Sequence, residues 1–120
     1  MYVRIFLLIL PLIFHSYKSQ LEGKKFLTNY NGTSVFYLEF KSDSYELSDS
    51  GGNILLKGVY TVEDKIITFT DTEGPMSCPS DQTGKYEFEI NGKKLSLKLI
   101  GDECEGRPKI AATDWQLVEK

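Results

Sequence analysis

Asp102-Glu103-Cys104-Glu105-Gly106-Arg107 packs three carboxylates, a thiol and a guanidinium into six consecutive residues. Three kinds of chemistry use such a set. Two carboxylates flanking a glycosidic bond can divide acid and nucleophile roles between them. Several oxygens from one compact segment can hold calcium. An acidic residue can instead pair with the arginine and fix a loop. Arg107 is the only arginine beyond residue 20 and lies close to Asp102 and to a cysteine. That placement favours the third use, a structural ion pair Asp102–Arg107, with no metal ligand, no cofactor and no catalytic residue.

The other reactive groups narrow the choice further. His15 is the only histidine, and it sits in an N-terminal segment with the pattern of an export signal. The remaining chain therefore cannot assemble a Ser-His-Asp or Cys-His arrangement or a histidine-based metal site. Cys78 and Cys104 are the only cysteines and are too far apart for a Cys-x-x-Cys redox pair. In an exported chain they most simply form one disulfide, closing a loop whose chain entropy is worth about 3.5 kcal/mol.

The elements that must position these groups begin after the signal. Residues 1–4 carry one positive charge, 5–14 are almost entirely apolar and 15–20 turn polar. An apolar run of about ten residues is short of the roughly 20 that cross a bilayer as a helix, so the pattern reads as a secretory signal peptide rather than a membrane anchor. Cleavage is placed near Ser19, giving a signal over 1–20, a domain over 21–120 and a secreted or periplasmic location. Beyond residue 20 the chain has 12 basic and 17 acidic residues, a formal charge of −5. With no basic cluster it is a poor partner for nucleic acid or an anionic membrane surface. Asn31-Gly32-Thr33 fits the glycosylation acceptor pattern in a surface turn.

Period-two alternation marks most of the domain. Strands are predicted over 24–30, 33–41, 44–48, 54–62, 65–70, 83–90, 94–100 and 113–119. Asn91-Gly92 between two of them predicts a two-residue type I′ hairpin. Gly58 inside a strand suggests a bulge, a sharp bend or a close backbone approach. Residues 71–82, carrying Cys78, and 101–112, carrying Cys104, read as loops. Leu95, Leu97 and Leu99 alternate along one face. Eight short strands without a sustained helical period predict an all-β, eight-stranded antiparallel up-and-down barrel, whose closure leaves no exposed edges.

The predicted inward set is Phe36, Leu38, Phe40, Tyr45, Tyr60, Phe69, Tyr86, Phe88, Leu97 and Trp115. Each buried tyrosine hydroxyl must find a partner, so three tyrosines suggest a polar-tipped interior. The disulfide would tie the loop entering the 83–100 hairpin to the loop leaving it. The ion pair then belongs to the same end of the barrel, expected to be its closed floor.

Gly58-Val59-Tyr60, Ile67-Thr68-Phe69-Thr70-Asp71, Glu73-Gly74-Pro75, Cys78, Gly84-Lys85-Tyr86, Leu95-Ser96-Leu97, Asp102-Glu103-Cys104-Glu105-Gly106-Arg107 and Trp115 together resemble the small bacterial lipocalin-like domains of the calycin group. The resemblance spans about residues 23–118. It implies a barrel with one open mouth that binds a small apolar or amphipathic ligand inside, as a monomer and without catalysis. Some members of the wider group act instead as protease inhibitors, so a secreted or periplasmic protein-binding module is the alternative. A typical lipocalin has Gly-x-Trp at its first strand; here Gly23-Lys24-Lys25 stands there and Trp115 lies on the last strand. The resemblance therefore speaks to the fold more than to any particular ligand.

Overall fold

A computed structural model describes residues 17–119. Eight strands follow one another around a closed antiparallel barrel in chain order. They are β1 (Lys25–Tyr30), β2 (Ser34–Phe40), β3 (Ser44–Asp49), β4 (Ile54–Glu63), β5 (Ile66–Glu73), β6 (Thr83–Asn91), β7 (Lys94–Asp102) and β8 (Asp114–Leu117). β1 closes the cylinder by pairing with both β2 and β8, with Phe26 opposite Leu38 on one side and Leu117 on the other. Eight strands enclose a space that side chains can just fill, or that can hold one small ligand.

Alternation decides which side chains enter that space. β6 buries Gly84, Tyr86 and Phe88 and exposes Lys85, Glu87 and Glu89. Nine of the ten predicted inward residues are buried; Phe36 is only half-buried, packing on the core near the end of the cylinder. Phe26, Leu47, Ile67 and Leu95, with Leu21 and Ala111, complete the core. Rings cross the interior edge to face, Phe40 meeting Tyr60 at 5.1 Å and Phe69 meeting Tyr45 at 5.0 Å between centroids. Such pairs add to the burial of their apolar area.

The up-and-down order sends the β1–β2, β3–β4, β5–β6 and β7–β8 connections to one end of the barrel and the other turns, with the start of β1 and the end of β8, to the opposite end. A 3-10 helix, Tyr17–Gln20, lies at the terminal end, followed by the fully buried Leu21. Tyr17 packs its ring against Phe88 at 6.4 Å, and Lys18 bonds Asp43 at 2.6 Å. This end is the floor. Most of the expected signal, residues 1–16, lies outside the described residues, whereas 17–20 pack against the barrel.

Three local departures from simple alternation matter. β5 runs on to Glu73 and β7 to Asp102, so Asp71 and Asp102 belong to strands rather than to the predicted loops. The β6–β7 register shifts between Tyr86↔Leu99 and Lys85↔Gly101, leaving Ile100 as an extra residue. At this bulge Leu99 is 46 % and Ile100 54 % exposed, so Leu99 leaves the face it was expected to share with Leu95 and Leu97. The same extra residue reverses parity. Position 102, which strict alternation from Leu97 would send outward, now stands opposite the buried Gly84. Finally, Asn91 pairs with Lys94, so the hairpin loop is Gly92-Lys93. Of these two only Gly92 has a positive φ, 66°, the pattern of a II′ rather than a I′ turn. This register matches Ile90 with Leu95; an Asn-Gly loop would have set Ile90 against Lys93.

Candidate functional site

The end opposite the floor carries the two long connections. The β5–β6 loop brings Cys78, and the β7–β8 connection brings Cys104 and a short helix α1 (Arg107–Ala111) that starts with Pro108 near its N-terminus. Cys78 and Cys104 are joined by a disulfide, their Cα atoms 6.1 Å apart. A structural disulfide fits an extracellular setting.

Between these loops and the aromatic floor lies a cavity of about 280 Å³. Its wall is almost wholly apolar. Leu38, Tyr45, Leu47, Leu56, Phe69, Leu97 and Trp115 come from the strands, and Ile110 and Ala111 from α1. Both disulfide cysteines line it. The staple therefore belongs to the cavity end, not to the floor as expected, because the 3-10 helix Tyr17–Gln20 and the buried Leu21 already occupy the other end. Met76 lines the cavity and is 44 % exposed, which marks where the cavity meets solvent.

The predicted inward residues divide by depth. Leu38, Tyr45, Phe69, Leu97 and Trp115 line the cavity, while Phe40, Tyr60, Tyr86 and Phe88 are buried in the core away from its lining and Phe36 packs half-buried against that core. Trp115 is fixed by donating its indole N–H to the Ala111 carbonyl at 3.0 Å, which ties β8 to α1. The hydroxyls of the three inward tyrosines are all engaged. Tyr60 donates to the Lys41 carbonyl at 2.7 Å, at the floor. Tyr45 donates to Asp71 Oδ1 in a short bond, and Tyr86 to Asp102 Oδ2 at 2.6 Å.

These last two bonds are the flanks of a buried polar cluster built around Arg107. Its Nη1 donates to Asp102 Oδ1 at 2.6 Å, the ion pair expected from spacing. Its Nη2 donates to the Gln82 carbonyl at 3.2 Å and stands 3.6 Å from Asp71 Oδ1. The Asp71 carboxylate also accepts the Cys78 N–H at 2.8 Å, and the Asp102 carboxylate accepts the Cys104 N–H at 2.8 Å. Each cysteine is thus held at its backbone by one aspartate, and the arginine spans the two. Burial works against the Arg107 charge, but the Asp102 bond and the charges of Asp71 and Asp102 outweigh it and raise its pKa. Burial, reinforced by the aspartate each one bonds, pushes the Tyr45 and Tyr86 hydroxyls far above the usual phenolic value.

Two inward glycines make room for the cluster. A Cβ at Gly58 would run into the Thr70 carbonyl oxygen and strike the Tyr45 ring at 2.6 Å, and one at Gly84 would strike Arg107 Nη1 at 2.7 Å and run into the Asp102 carboxylate. The close backbone approach expected at Gly58 is made by the Thr70 carbonyl, and the β4–β5 register shifts between Lys57 and Gly58, the bulge that was its alternative.

Asp71 was missed because a run of Thr and Asp after Phe69 reads as loop; the signal available was its parity with Ile67 and Phe69. Ile110 and Ala111 lay in a segment without strand alternation. Glu103 accepts the Thr83 N–H at 2.9 Å and so serves the loop. Among the described residues no group of three or more His, Cys, Asp and Glu side chains is placed to hold a metal ion, and no helix is long and apolar enough to cross a membrane. No protein-family model matches the chain, and no curated protein or solved structure matches it.

Proposed function

We propose that this is an exported, lipocalin-like binding protein that holds a small, mainly apolar molecule in the cavity beneath its disulfide loops, without catalysis. The observation that carries this reading is the apolar hollow of about 280 Å³ in a barrel whose other half is solidly packed. Small-molecule sites run from roughly 300 to 1,000 Å³ and are lined mostly by apolar and aromatic groups with a few polar ones. The volume, about 280 Å³, falls just short of that range, so it suits a molecule of one ring or a short chain rather than a haem, a retinoid or a long fatty acid.

Absence of catalysis is supported by how the polar groups are spent. Every oxygen of Asp71 and Asp102 accepts from Arg107, a tyrosine or a backbone N–H, which leaves neither of these two carboxylates poised as a base. Export is supported by the N-terminal pattern and the disulfide. The exposed apolar side chains Ile54, Val59, Ile66, Leu99 and Ile100 are spread over β4, β5 and β7, which favours the cavity over a protein-docking face.

Native mass spectrometry of the protein purified from its own source is expected to show a small-molecule adduct. Ala111→Phe, which adds a ring on the cavity wall, is expected to abolish it. An adduct-free protein whose single tryptophan does not respond to small apolar probes would overturn the reading.

A further inference from the structure

Among the described residues that line the cavity, only Asp71 and Arg107 carry a charge at neutral pH, and none is a lysine. An arginine in an apolar hollow is ordinarily an invitation to a carboxylate, which its planar fork can grip with two bonds. Here the chain's own aspartates already hold it. Arg107 Nη1 donates to Asp102 at 2.6 Å, while Nη2 donates to the Gln82 carbonyl at 3.2 Å and stands 3.6 Å from Asp71. Asp71 is committed as well. Its Oδ1 accepts from Tyr45 and its Oδ2 from the Cys78 N–H. The three charged side chains are 2 % exposed at Asp71, 0 % at Asp102 and 10 % at Arg107, so water screens them little. One cation faces two carboxylates, and the cluster carries a formal charge of −1.

We propose that the cavity takes uncharged molecules and rejects anions most strongly, so that aromatic and short-chain acids small enough to fit are excluded by their charge. This rests on the reading of the cavity as a ligand site. At about 280 Å³ the cavity encloses a one-ring molecule together with its head group, so a charge on that head would leave water for an apolar wall without a counter-ion. That transfer is costly for either sign. The net negative cluster separates the two signs, because it repels an anion and offsets part of the cost for a cation. The order of affinity is therefore neutral, then cation, then anion, the reverse of what a free arginine would give.

Acetophenone, benzamidinium and benzoate test this, because each is a phenyl ring with a planar head of the same size and they differ in charge. Isothermal titration calorimetry at pH 7 measures all three. Acetophenone is expected to bind at least about 100-fold more tightly than benzoate, with benzamidinium between them. Ala111→Phe, which fills the cavity, is expected to abolish acetophenone binding; binding that it leaves intact lies elsewhere and counts as none. Asp102→Asn removes one negative charge at nearly constant shape. It is expected to narrow the gap between benzoate and acetophenone about ten-fold and to leave acetophenone within about two-fold of wild type. If either ion binds as tightly as acetophenone, if benzoate binds more tightly than benzamidinium, or if a folded Asp102→Asn protein keeps the wild-type gap, the selection by charge is overturned while the cavity stands as a ligand site. If none of the three binds, the ligand-site reading falls and the selection with it. The wild-type ranking decides the matter even where Asp102→Asn fails to fold.

Discussion

Gly84→Ala tests the packing of the polar cluster with a single methyl group. Gly84 does not have a positive φ, so its backbone accepts alanine, and the lower entropy of the unfolded chain would by itself stabilise the protein by about 0.4–1 kcal/mol. Space decides otherwise. The new Cβ would run into the Asp102 carboxylate and lie 2.7 Å from Arg107 Nη1. Asp102 is short and is held by Tyr86, Cys104 and Arg107 together, so it cannot swing aside without losing bonds. Overpacking costs about 1–3 kcal/mol, and a lost hydrogen bond to a charged group about 1.5–3 kcal/mol. After the entropy gain is subtracted, a destabilisation of about 3 kcal/mol is expected. For a domain of this size that lowers Tm by about 12 °C or more. Urea unfolding followed by Trp115 fluorescence and a thermal melt by circular dichroism measure it. Gly101→Ala is the control, because Gly101 is exposed and a Cβ there meets nothing within 4 Å; it should stay within about 0.5 kcal/mol of the wild type. A Gly84→Ala protein as stable as the Gly101→Ala control would refute the claim that Gly84 is there to seat Asp102 and Arg107.

Replacing both cysteines by alanine should cost about 3.5 kcal/mol by the loop-entropy relation, since the bond spans a sequence separation of 26. A paired urea titration measures it, and a loss below about 1 kcal/mol would mean that the aspartate bonds to Cys78 and Cys104 hold the loops without the bond. The tyrosines predict the alkaline limit. Tyr45 and Tyr86 are raised by burial and by their aspartates, and burial pushes Tyr60 up to about 12. A folded-state pKa above the unfolded value of about 10 favours the native state fully below pH 10, and that contribution is lost as pH rises through the folded value. Stability should therefore be level from pH 7 to 9 and fall steeply above 10, with three tyrosines ionising only as the fold is lost. Absorbance at 295 nm followed alongside circular dichroism checks this; full ionisation of all tyrosines in a still-folded protein would contradict it.

The strands were legible because a half-buried sheet imposes a period of two on side-chain polarity. Leu38 and Phe40 on β2, or Tyr86 and Phe88 on β6, announce their inward face by position alone. The cysteine count and the lone Arg107 near Asp102 likewise pointed to the disulfide and the ion pair. What alternation cannot carry is an extra residue. The bulge at Ile100 exposes Leu99 and turns Asp102 inward, and no local pattern in 94–102 announces that reversal. Nor can it say which end of a barrel is hollow. Tyr45, Gly58 and Asp71 are successive cross-strand partners on β3, β4 and β5, whereas Leu97, Trp115 and α1 come from the far end of the strand order; only closure of the cylinder sets Tyr45 and Asp71 around one space with them. Local side-chain periodicity thus determined a barrel and its inward face. The cavity, its buried arginine and the end at which they lie were decided by tertiary contacts between residues distant in the chain, because burial of a charge depends on partners that only the closed sheet brings together.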